Sequence, residues 1–142
     1  DKGFEFVYQA KRSIDRFNQQ RNNMMEIMDE WLFNEWQPSQ NKDCPVHSET
    51  PGMIIDRLSI LGLKIYHMHL QVQRQDVDNT HHQLCEKKYH VLNSQRDQLK
   101  LCLDNLLADI KCQHRTFRLY HQFKMYNDPT LNPELYRKNE KG

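Results

Sequence analysis

One arginine stands where an apolar residue is expected. At about 100° per residue on a helix, Arg21 falls roughly 20° from Ile14, on the face that also carries Phe17, Met24, Met25 and Met28. A guanidinium carries five donors and cannot shed its charge, so it tolerates a core only beside a carboxylate, backbone carbonyls or an anionic ligand. Asn18 lies on the same face, and Asp15 and Asn22 edge it. Further along, Asp56 sits in a stripe with Ile60, Leu63 and His67, while Arg57 and Lys64 border a second stripe seven residues apart. Two chemistries fit. Arg21 and Asp56 form an ion pair that fixes the register of two helices. Alternatively, Asp15, Asn18, Arg21, Asn22, Asp56, Arg57 and Lys64 surround a cleft for a phosphate or carboxylate, with the cations holding the anion and Asp15 or Asp56 serving as general base.

Other constellations are weaker. Asp78, His82, Glu86 and Tyr89 share a helical face, but a metal needs three or four converging ligands and no H-x-x-x-H, H-E-x-x-H or E-x-x-H spacing occurs. His67 and His69 point to different faces and cannot chelate together. No G-x-S-x-G, Walker loop or dinucleotide fingerprint is present, so neither metal nor cofactor is expected. From Lys111 to Tyr126 the charges are Lys111, Arg115, Arg118 and Lys124 without an acid, interleaved with Phe117, Tyr120, Phe123 and Tyr126. That pattern suits nucleic acid. It suits better a C-terminal strap that lays its rings on a bundle with the cations outward.

The chain has 142 residues with 20 basic against 19 acidic, a net charge of +1. Nothing in that balance calls for nucleic acid or an acidic membrane surface. Mean hydropathy is −0.95. Leu, Ile, Val and Phe make up about 23% of the chain, just above the range in which a packed core fails. The helices must therefore carry broad wet faces. No apolar run approaches the length of a membrane span, and Cys44, Cys85, Cys102 and Cys112 form no C-x-x-C pair. Reduced, mostly buried thiols in a cytoplasmic protein are expected.

These residues must be positioned by long helices. There is no glycine between Gly62 and Gly142 and no proline between Pro51 and Pro129. An apolar period near 3.6 fills that interval. The first helix is expected from about Phe6 to Trp36, buried along Val7, Ala10, Ile14, Phe17, Met24, Met25, Met28 and Leu32. A loop follows over 37–50. Thr50 is the N-cap and Pro51 the first residue of a second helix reaching about Gln73. Asp76, Asp78 and Asn79 compete to cap a third helix that ends near Cys112, and the strap spans 113–142, with Asn132 and Pro133 opening a short helix. The fold class is all-α: an up-down bundle of three to four long helices forming a single domain over 1–142. The second helix is apolar on two sides and asks for a fourth helix, from the tail, from a missing N-terminal helix or from a second subunit.

The stretches Lys11-Arg12-Ser13-Ile14-Asp15 with Asn18-Gln19-Gln20-Arg21-Asn22, then Glu49-Thr50-Pro51-Gly52-Met53-Ile54-Ile55-Asp56-Arg57-Leu58 running through Lys64-Ile65-Tyr66-His67-Met68, and Gln122-Phe123-Lys124-Met125-Tyr126-Asn127-Asp128-Pro129 resemble a bacterial family, domain of unknown function 4254. The resemblance implies a helical fold and, for some members, a gene setting beside glycosyltransferases of envelope polysaccharide synthesis. Family members carry an acid near the position of Asn23 and a Trp-His-x-Glu-Asp stretch on an earlier helix. Neither is found here. The expected function is a self-associating helical binding or assembly module. The alternative is an enzyme or sensor for an anionic small molecule such as a nucleotide-sugar or sugar phosphate.

Overall fold

In a computed structural model the described residues are 3–121, 130 and 131. They form three helices, α1 (Gly3–Trp36), α2 (Pro51–Val72) and α3 (Asn79–Lys111), and no strand occurs among the described residues. The fold is all-α. Its boundaries follow local chemistry. Thr50 caps α2 by accepting the Met53 N–H, and Pro51 occupies the first turn where no N–H is needed. Of the three candidate caps before α3, Asp78 takes the role and accepts the His81 N–H at 2.7 Å. Asp76 instead pairs with Arg74 at 2.7 Å, and that hydrogen-bonded guanidinium pulls its carboxyl down to about 2. α3 is one continuous helix through Ser94–Asp97.

The core gathers at one end. Leu32, Ile54, Leu103, Leu106, Ile110 and Phe117 form it, with Phe33, Trp36, Leu58 and Leu99 against its edge. Here the C-terminus of α1, the N-terminus of α2 and the C-terminus of α3 converge. The segment after α3 closes the end: Thr116 pairs with the 37–50 loop through His47 N–H to Thr116 O (2.7 Å) and Thr116 N–H to Pro45 O (2.9 Å). Phe117 is fully buried, edge-on to Phe33. Lys111 lies over Trp36, and Arg115 turns outward to Asp109. Of the two described rings of the basic aromatic stretch, Phe117 is packed into the core while Tyr120 is 44% exposed. Phe123, Lys124, Tyr126 and the helix expected at Asn132 lie outside the described residues.

The other end is open. α2 packs mainly on α3 and much less on α1. The α1 face expected in the core is consequently uncovered over its first half: Val7 is 59% exposed, Ile14 52% and Phe17 58%, and Met24 is also exposed, whereas Met25 and Leu32 are buried. Helical periodicity identified the shared face, but a face is buried only where another element lies along it. The expectation of mostly buried thiols also fails: Cys85 is buried, but Cys102 and Cys112 are exposed. No described helix is long and apolar enough to cross a membrane.

Candidate functional site

The firmest polar junction joins α1 to the start of α2. Asp29, 4% exposed, accepts the Thr50 hydroxyl and, at 2.7 Å, the Gly52 N–H. The carboxylate thereby satisfies an orphan donor of the first turn of α2 and faces the positive end of its dipole. Burial pushes the Asp29 carboxyl above its ordinary value, and the hydrogen bonds from Thr50 and Gly52 oppose the shift without cancelling it. Gly52 is required sterically. A Cβ there would stand 2.7 Å from the Asp29 carboxylate and 2.7 Å from the Met25 carbonyl, which is backbone.

One turn further, Arg21 Nε lies 2.6 Å from Asp56 Oδ1. The N–H is not aimed at that oxygen, which has no hydrogen-bond donor, so the contact is an ion pair without an aligned hydrogen bond. Asp56 is largely enclosed, but the Arg21 side chain is 42% exposed because the helix face around it is uncovered. The Arg21–Asp56 contact expected from the wheel is present, at the edge of the packed end.

The remaining residues of the set do not converge on one point. Asp15 pairs with Lys11 at 2.6 Å on the exposed half of α1. Asn18 and Asn22 are half-buried on α1. Arg57 grips both Glu49 oxygens through one nitrogen, at 2.6 and 2.8 Å. Lys64 stands between two hollows along α2 and α3. The first, of about 670 Å³, is lined by Arg57, Glu49, Ile54, Leu99 and Cys102 among others. The second, of about 900 Å³, is lined by Arg21, Leu63, Lys87, Lys88 and Val91 among others. Both share Ile60, Lys64 and Gln95, so they make one furrow, and no residue of α1 before Arg21 lines it. Its second half carries Arg21, Lys64, Lys87 and Lys88 without an acid. The three lysines have no ion-pair partner among the described residues. No group of three metal-ligating side chains occurs among the described residues.

Comparison with family models finds a match over residues 2–119 to a family described as protein of unknown function (DUF4254). The chain belongs to this family. Neither curated proteins nor solved structures give a match. In this DUF4254 chain, the Thr50-Pro51-Gly52 stretch that carried the resemblance proves to be the α1–α2 junction, so those residue types follow from packing. Sequence reasoning missed Asp29, although the wheel places it about 60° from Ile14, at the margin of the apolar stripe. It also missed Lys87 and Lys88. The signal for them was available: Lys64, Lys87 and Lys88 each lack an acid three or four residues away in the sequence.

Proposed function

We propose that this DUF4254 chain is a helical assembly module that binds a second copy of itself through the N-terminal half of α1. The observation that carries this reading is the exposed stripe of Val7, Ile14 and Phe17, continued by Phe4. Contiguous apolar surface of this kind on a soluble fold marks an interaction site. An isologous contact would bury the stripe of both partners at once. The envelope-polysaccharide setting implied by the resemblance suits a scaffold that holds other proteins together. The seven polar residues then act as register-fixing pairs and rim charges. Sedimentation equilibrium at micromolar concentration tests the reading. The wild-type chain is expected as a dimer, and an Ile14→Glu/Phe17→Glu double variant as a monomer of unchanged helicity. A monomeric wild-type chain would refute it.

The cation-lined half of the furrow favours a second reading, a site for an anionic metabolite such as a nucleotide-sugar or sugar phosphate held by Arg21 and Lys64. Arg57 is already engaged by Glu49, Asp15 by Lys11 and Asp56 by Arg21, so the geometry offers that reading no unengaged base among the candidates. A thermal shift with such ligands that is lost in Lys64→Ala would support it. Indifference to all of them would favour assembly alone.

A further inference from the structure

Only two non-glycine residues among the described ones take a positive φ, and they line the same hollow. Gln37 (φ 44°) follows the last residue of α1, and Gln113 (φ 59°) lies two residues past the end of α3. Glycine enters this left-handed region without strain, whereas a residue with a Cβ does not. Both helix ends nevertheless carry glutamine. Gln113 Nε2 donates to the Gln37 carbonyl at 3.5 Å, so the two ends are joined at the hollow. Its volume is about 510 Å³, within the range of roughly 300–1,000 Å³ usual for small-molecule sites. It shares no lining residue with the α2–α3 furrow.

The lining selects a class of ligand. Asn34, Gln37, Gln40 and Gln113 supply carboxamides, Ser39 a hydroxyl and Phe33 an apolar wall, and no lining residue is charged. A carboxamide holds a donor and an acceptor side by side, the complement of two neighbouring hydroxyls. Gln40 Nε2 donates to the Pro38 carbonyl at 2.9 Å, which fixes that amide in place. Phe33 is held edge-on by Phe117. Because α1 and α3 both end beside the hollow, the negative ends of their dipoles disfavour an anion and favour donors. A cation would find no acid in the lining to neutralise it. A neutral ligand rich in hydroxyls fits.

We infer that this hollow binds a neutral saccharide unit, with the carboxamides on its hydroxyls and Phe33 against an apolar face of the ring. The two glutamines are then retained for recognition at positions where glycine would be the more stable residue. The site goes beyond self-association and does not depend on it.

Titrating the full chain with methyl glucoside, methyl galactoside and methyl N-acetylglucosaminide, followed by two-dimensional NMR of the amide groups, tests this. The side-chain amide signals of Asn34, Gln37 and Gln113 are expected to shift with at least one of the three at millimolar concentration. Asn34→Ala, which leaves the backbone of the helix undisturbed, is expected to weaken that binding about tenfold through its lost hydrogen bonds. Gln37→Gly and Gln113→Gly are each expected to weaken it as well, yet to raise the melting temperature by about 2–5 °C. Silence of these amides towards all three glycosides would overturn the inference. So would shifts that N-methylacetamide reproduces equally well, or tighter binding of glucosyl phosphate than of methyl glucoside at the same amides. A lower melting temperature in both glycine variants would tie the glutamines to the loops and likewise overturn it.

Discussion

At the residue scale, the most constrained side chain is the carboxylate of Asp29, held between two donors at the start of α2. Removing it, as in Asp29→Leu, leaves the Thr50 hydroxyl and the Gly52 N–H without acceptors, at about 1–3 kcal/mol for each buried group. Its titration gives a sharper test. Burial raises the folded-state pKa above the ordinary 3.8, so the folded chain binds a proton more tightly than the unfolded chain. The stability contributed by this group therefore increases as pH falls through the raised value, is complete below 3.8, and is lost as pH rises again. Asp29→Asn removes that slope. Denaturant unfolding of both proteins from neutral pH to acid should show the wild-type chain gaining on the variant as pH falls. Parallel curves would contradict the burial argument. Arg21 differs in kind: its exposed guanidinium keeps water as an alternative partner, so removing Asp56 strands it less than it would a fully enclosed guanidinium.

At the scale of elements, the helix ends show how local rules and tertiary packing divide the work. α1 ends at Trp36, and the next residue, Gln37, adopts φ 44° while its N–H bonds the Phe33 carbonyl at 3.0 Å. That is the left-handed position usually given to glycine. Gln37→Gly is expected to raise stability by about 0.5–1 kcal/mol, with the melting temperature as the readout; a fall would mean that the glutamine side chain contributes to the loop. The caps of α2 and α3 and the pairing of Arg21 with Asp56 were legible in the sequence, because each depends on residues whose partners lie at fixed helical offsets or on facing stripes. Two things were not legible. Periodicity placed Val7, Ile14 and Phe17 on the inner face, but a wheel carries no information on how far a neighbouring helix runs. The role of Asp29 was hidden because its partners are donors at the start of another helix, which no spacing within α1 encodes. Arg57 looked like a cleft residue by its distance from Lys64, whereas Glu49, eight residues earlier across the helix start, had already engaged it.

At the scale of the whole molecule, the bundle is closed at one end and unfinished at the other. The closed end has its core, its strap and its buried caps. At the open end Val7, Ile14 and Phe17 are more than half exposed, and among the described residues no side chain fills the apolar furrow, which has cations along its rim. A chain near the lower limit of apolar content has little such surface to spare, so leaving it wet would expose the folded state to non-specific association. The account turns on whether the first half of α1 is covered in solution by another copy. Amide hydrogen exchange of residues 4–17, followed as a function of protein concentration, tests this most directly. Protection of these amides is expected to rise with concentration along the same curve as the dimer fraction, while the amides of Leu103–Ile110 in the closed end remain protected throughout. Exchange over 4–17 that is fast and independent of concentration would contradict the account.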